Sequence, residues 1–384
     1  MIRTRRRMAA LGATLFMLGG LVLAAPVGAS SGPATVTADM PSAAPAGHLW
    51  AFNDFFPRTV SVPTGSDLQF INQGFHTFTI LPAGTTARQD QRTNGAGLDD
   101  PDDTVLNPNG TTHAVLNQAA LSPTSVSCGS TAEPCGFDGG AVVSSGTPGG
   151  PPAPFVVHVT AAPGSYVFLC RVHAGMNGRL NVLPAGTQGP SAQHVEKQIQ
   201  KQIQRDLNGA WTADAKANRD AARLNADSSS TRHVIAGTSS PDGKVALLEF
   251  FPRDLHAAPG DKVVFVPRSP NEPHTVTFPG DLGNEFQPMC ETGSTDTPIG
   301  PTGCNFGPPD EVEFDGGNGI SNVTTPTTVS DSGFIGPRRL ARDIALPSTA
   351  ILNTWTVSFA GAASGTYTYV CQIHDGMEAT ITLH

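Results

Sequence analysis

Residues 168–176 read FLCRVHAGM, and residues 369–377 read YVCQIHDGM. Each stretch spells C-x-x-H-x-x-M, and the donor atoms decide what such a loop can do. Structural zinc takes thiolates and imidazoles but not a thioether, and one cysteine per loop is too few. A reactive thiol would use the histidine as its base, yet it has no role for the methionine. Copper is the common metal that takes thiolate, imidazole and thioether together, with two histidines and a cysteine in a plane and a weak axial methionine. The loop supplies three of those four donors. A second histidine must come from elsewhere.

An internal repeat nominates it. DFFPR (54–58) returns as EFFPR (249–253), SVPTGSDLQFIN (61–72) as HAAPGDKVVFVP (256–267), GFHTFTI (74–80) as EPHTVTF (272–278), and APGSYVFLC (162–170) as AASGTYTYVC (362–371). The offset grows in order along the chain, as expected of a duplication with small insertions, and each copy is long enough to be a whole domain. His76 and His274 are the histidines outside the loops that hold equivalent places in both copies. The other histidines, His48 among them, read as surface or strand residues. The candidate metal ligands are therefore His76, Cys170, His173 and Met176 in one copy, and His274, Cys371, His374 and Met377 in the other.

Charged residues make up only 14% of the chain, and Gly (42) and Pro (33) are abundant. That balance favours β-structure with long loops. Short alternating runs bounded by turn residues, such as APFVVHVT (153–160), GSYVFLC (164–170) and NTWTVSF (353–359), predict an all-β Greek-key sandwich in each copy.

With these residues in place, the chain resembles the blue-copper cupredoxins. YVFLCRVHAGMNGRLNVL is similar to their ligand loop, with the spacing of amicyanin, and PTGSDLQFINQGFH and APGDKVVFVPRSPNEPH are similar to the first half of a plastocyanin-like fold. The resemblance implies two tandem cupredoxin-like sandwiches, each holding one type 1 copper, Cu(I)/Cu(II), by the eight residues named above. Two departures stand out. His76 and Cys170 are 94 positions apart, and His274 and Cys371 are 97 apart, so each copy carries a long insertion. Asn72 stands four residues before His76, where the family often has an asparagine that steadies the ligands. The second copy has Pro270 there, which implies a looser or differently tuned site.

With Cys170 and Cys371 reserved as thiolates, repeat symmetry predicts two local disulfides, Cys128 with Cys135 and Cys290 with Cys304. An acidic cluster, Asp99, Asp100, Asp102 and Asp103, reads as a solvated loop. Between the copies, Val195, Ile199, Ile203 and Leu207 recur every four residues and predict a helix ending at Asn208-Gly209, with Thr212 capping a second one.

The N-terminus has four arginines in its first seven residues and then an apolar run, the layout of an export signal. The expected division is a signal at 1–29, a flexible segment at 30–45, a first cupredoxin domain at 46–186, a helical linker at 187–232 and a second domain at 233–384. An extracytoplasmic location follows, with membrane contact only through an uncleaved signal. Removing the signal's four arginines takes the net charge from −9 to −13 (−9 − 4), which argues against nucleic acid as a partner and suits docking to a redox protein with a basic face. The predicted activity is one-electron transfer rather than catalysis. A multicopper oxidase or nitrite reductase needs histidines next to the cysteine, and Leu169, Arg171, Val370 and Gln372 stand there instead. Copper scavenging or delivery is the alternative that uses the same ligands.

Overall fold

The computed structural model describes residues 32–95, 114–116, 118–147, 153–227, 229–280, 289–291, 312–314, 320–337 and 351–384. The export signal, the acidic cluster, Cys304 and the side chain of Cys290 lie outside the described residues.

Two β-sandwiches form, each from a pair of five-stranded sheets. In the first, one sheet runs in the order Phe55–Phe56, Ala34–Ala38, Ser66–Asn72, Phe155–Val159, Cys135–Phe137. The other runs Thr59–Pro63, Asn177–Leu183, Gly164–Leu169, Thr79–Ile80, Val143–Ser144. The second sandwich repeats this pattern with Thr231–Ser239, Lys262–Pro267 and Trp355–Ser358 in one sheet, and Glu378–Leu383, Gly365–Val370 and Thr277–Phe278 in the other. Period-2 alternation drives the assembly. In SDLQFIN, Leu68, Phe70 and Asn72 face inward while Gln69 and Ile71 are half-buried. Five phenylalanines, Phe55, Phe70, Phe78, Phe137 and Phe168, fill the first core, with Phe70 stacked on Phe78 at 4.7 Å and Phe55 edge-on to Phe168 at 5.0 Å. Phe250 against Tyr369, at 4.7 Å, repeats the Phe55–Phe168 contact in the second core.

The segment expected to be flexible, 30–45, contains a strand. Ala34–Ala38 pairs in parallel with Ser66–Asn72, and Val36 and Ala38 are completely buried. The alternation in ATVTA is short and sits in a Pro/Ala-rich stretch, so only the partner strand makes it visible. A second strand crosses between the repeats. Trp50–Phe52 pairs antiparallel with Val245–Phe251 of the second sandwich, so the two units share a sheet edge as well as a linker.

The linker is one 33-residue helix, Ala192–Leu224, where two helices were expected. It runs through Asn208-Gly209 because packing outweighs the local cost of glycine, about 1 kcal/mol. Ala210, Ala213, Ala217 and Ala221 form a buried small-residue face against Ile235, Val245, Leu247 and Phe251. A Cβ on Gly209 would lie only 3.2 Å from Ser240, so its absence lets the helix lie close. Thr212 donates its hydroxyl to the Asn208 carbonyl instead of capping. The disulfide Cys128–Cys135 forms as expected. Among the described residues no helix is long and apolar enough to cross a membrane.

The helix also reaches the first sandwich through buried polar groups. Gln202 donates to Asp54 and to the Phe55 carbonyl, both at 2.7 Å, and Arg58 binds Asp206 at 2.9 Å. Burial, with the nearby Asp54 charge, pushes the Asp206 carboxyl up to about 7 against the pull of Arg58 and Arg205. Between about pH 4 and 7 the folded chain therefore holds a proton that the unfolded chain has released, so stability falls as pH rises through that window and levels off above it. Asp206→Asn is expected to flatten this slope by on the order of 1–3 kcal/mol. Urea midpoints of both proteins across that range check it.

Candidate metal centres

Strand ends deliver the candidate ligands to one pole of each sandwich. Cys170 follows the strand Gly164–Leu169, and the loop returns through His173 and Met176 into Asn177–Leu183. Two backbone bonds close this loop, Cys170 N–H to the Met176 carbonyl at 2.9 Å and Met176 N–H to the His173 carbonyl at 3.1 Å. The second copy repeats them for Cys371, Met377 and His374 at 2.9 and 3.0 Å. His76 and His274 lie on the segments that cross from Ser66–Asn72 and Lys262–Pro267 of the opposite sheet into Thr79–Ile80 and Thr277–Phe278, strands of the same sheet as Gly164–Leu169 and Gly365–Val370. The following residue fastens each histidine's segment to the loop. Thr77 N–H points at Cys170 Sγ at 3.4 Å and Thr275 N–H at Cys371 Sγ at 3.3 Å. Their hydroxyls accept from Arg171 N–H and Gln372 N–H, both at 2.8 Å.

The donor atoms converge. His76 Nδ1 is 3.0 Å from His173 Nδ1, and Cys170 Sγ lies 3.5 Å from His173 Nδ1 and 3.9 Å from His76 Nδ1. In the second copy Cys371 Sγ is 3.4 Å from His374 Nδ1 and 4.0 Å from His274 Nδ1. A metal in a trigonal plane, at about 2.0 Å from nitrogen and about 2.3 Å from sulfur, would space its donors by roughly 3.5–3.8 Å. The donor sets fit such an ion. Met176 and Met377 are buried to 1% beside them, and each group of His/His/Cys is a separate, mononuclear cluster.

The electrostatics favour a thiolate. Burial alone would push the Cys170 thiol up, but hydrogen bonding and charge from His173 and His76 hold it well below its ordinary range. Burial acts the same way on Cys371, and His374 and His274 outweigh it. Metal binding needs that deprotonated form.

The outward ring edges find carboxylates that sequence reasoning missed. Glu272 is buried between the two poles, with Oε1 3.2 Å from His173 Nε2 and Oε2 3.9 Å from His374 Nε2. Asn53 donates to Oε1 at 2.6 Å. Asp39 Oδ2 stands 3.9 Å from His76 Nε2, and its other oxygen accepts from Phe52 N–H at 2.8 Å. A cavity of about 570 Å³ opens beside these groups, bordered by His76, His173, Glu272 and His374. Asn72 does steady the first site, donating to the His76 carbonyl at 2.8 Å. In the second copy Ile335 N–H reaches the His274 carbonyl at 2.7 Å, so a backbone donor from a distant segment replaces the asparagine.

One further convergence, His48, Asp214 and Glu249, reads as an ion-pair knot. Glu249 binds His48 and Arg253 at 3.0 Å each and accepts from Leu49 N–H.

The two sandwiches, each with a Cys-x-x-His-x-x-Met loop and an upstream histidine at one pole, have the architecture of tandem cupredoxins. No protein-family model and no curated protein matches the chain. Among solved structures it is similar to an amicyanin variant in its reduced Cu(I) form, at 14% identity and TM-score 0.21 over 43% of this chain and 90% of that one. It is also similar to auracyanin from Roseiflexus castenholzii, at 20% identity and TM-score 0.23 over 41% and 100%. Plastocyanin from Dryopteris crassirhizoma matches at 18% identity and TM-score 0.18 over 39% and 100%.

Proposed function

We propose that the protein is an exported carrier of single electrons, holding one type 1 copper in each sandwich. The ligands are His76, Cys170, His173 and Met176 in the first, and His274, Cys371, His374 and Met377 in the second. One observation carries the reading: two imidazole Nδ1 atoms and one thiol converge in a buried pole, with a methionine in the same loop, twice in one chain. Copper so held supplies a one-electron couple whose two states keep nearly the same ligands. The chain's part is to hold the donors rigid, exclude water by burial and point a backbone N–H at each sulfur. The disulfide Cys128–Cys135 suits an oxidising, extracytoplasmic compartment. The net negative charge suits a redox partner with a basic docking face.

Copper loading is expected to give two ions per chain and the intense visible absorption of a copper–thiolate pair. Cys170→Ser and Cys371→Ser should each remove one centre's share of that absorption, and the double variant all of it. A loaded protein without the band would overturn the proposal.

A further inference from the structure

The two centres are built on one repeat but differ at two equivalent positions, and both differences change the charge behind the imidazoles. In the repeat, Glu272 stands where the first copy has Gly74, each two residues before a ligand histidine. In the sheets, Ala38 pairs with Asn72 and Ala236 with Pro267, which makes Asp39 and Gly237 equivalent. Both adopt a left-handed backbone with φ 63°.

Consequently, both imidazoles of the first centre back onto carboxylates, His76 onto Asp39 and His173 onto Glu272. In the second, His374 has only the farther oxygen of Glu272, and buried His274 Nε2 has no hydrogen-bond partner among the described residues. Oxidised copper carries one more positive charge than reduced copper. Buried carboxylates stabilise it and make their imidazoles more basic, so they lower the potential of the centre they face. Other charges near the loops do not reverse the ranking. Arg171 is paired with Asp90 and Lys244 with Asp54, while Asp375 in the second loop is exposed and screened by solvent. The backbone donors to the two sulfurs are matched.

We infer that the chain is a directional two-centre relay, in which the first site is the lower-potential donor, the second the acceptor, and Glu272 the bridge between their histidines. This rests on the reading that each sandwich holds one copper. The step balances without a proton: one electron leaves Cu(I) at the first centre and reduces Cu(II) at the second. The path crosses the imidazole of His173, a single carboxylate and the imidazole of His374. Glu272 and Asp39 are positioning residues, since neither touches the metal.

Redox titration of the single-centre proteins Cys371→Ser and Cys170→Ser compares the two potentials directly, with copper content and visible absorption measured on the same samples. The Cys371→Ser protein, which keeps the first centre, is expected to have the lower potential. Asp39→Asn, whose new side chain tolerates the left-handed backbone, should raise the first centre's potential and leave the second unchanged. Glu272→Gln should raise the first more than the second. It should also slow electron exchange between the centres after flash reduction of the two-copper protein, by roughly tenfold. Equal potentials, a lower second centre, or Asp39→Asn shifting both centres alike would overturn the relay while the two blue bands still stand. Missing bands would instead overturn the copper reading itself.

Discussion

Gly237→Ala is expected to abolish copper binding at the second site and leave the first intact. Gly237 lies where the pairing of Thr231–Ser239 with Val245–Phe251 shifts register, between Ala236 and Thr238. Its φ of 63° already disfavours any residue with a Cβ. Steric contact adds a larger effect. A Cβ there would lie 1.9 Å from His274 Nε2 and 2.4 Å from Cε1, far inside van der Waals contact. His274 is completely buried, and its backbone is held on both sides by Ile335, so the ring cannot move away without leaving Cys371. A shift of about 1 Å is enough to spoil a preorganised constellation. Copper content should fall from two per chain towards one, with the residual absorption belonging to the first centre. The same change at Gly65 (φ 84°), where a Cβ would meet nothing, is the control. It shares the backbone strain but not the collision, and should keep both coppers. Retention of both ions in Gly237→Ala would show that the second pole yields more readily than its packing indicates.

The candidate ligands were legible because donor chemistry and duplication point to the same atoms. The loop names three donors, and only one histidine per copy keeps its place. What surrounds them was not legible, for reasons of distance along the chain. Glu272 looks like a loop acid beside a proline, and its role appears only when the first repeat's His173 is brought against it from 99 positions away. Asp39 lies in a segment whose composition suggested flexibility, and Gly237 reads as an interruption in a strand. Their significance comes from parallel pairing, which aligns residues with no local signature. Pro270 in place of Asn72 suggested a looser second site. The substitute, Ile335 N–H, is a backbone group that no side-chain pattern reveals. At Asn208-Gly209 the local stop signal is genuine, but an alanine face packed on a neighbouring sheet exceeds it.

Asp90→Ala is expected to be the most destabilising single change near the first centre, without touching a ligand. Asp90 sits on the short helix Ala87–Asn94, whose start is closed by a reciprocal Thr86–Gln89 capping box. Its carboxylate accepts from Arg171 Nε at 2.9 Å and Nη2 at 2.8 Å, and from Asn94 Nδ2 at 2.8 Å. Asp90 is 3% exposed and Arg171 7%, so the pair is buried and bidentate. Removing the carboxylate strands a guanidinium next to Cys170, which costs about 3–5 kcal/mol out of a typical total of about 5–15 kcal/mol. For a unit of this size the melting temperature should drop by roughly 10 °C. The helix should also loosen, because Gln91, bonded to the Arg171 carbonyl at 3.0 Å, is its other anchor to the ligand loop. Hydrogen exchange across residues 87–94 reads that loosening directly. The second copy has Gln372 in the place of Arg171, with neither of its side-chain polar atoms paired among the described residues, so the paired charge is peculiar to the first sandwich. Its value to folding depends on keeping both members. Asp90→Leu combined with Arg171→Met, which removes both charges at similar volume, should recover most of the lost stability, because the cost lies in an unpaired buried charge and not in the absence of an ion pair.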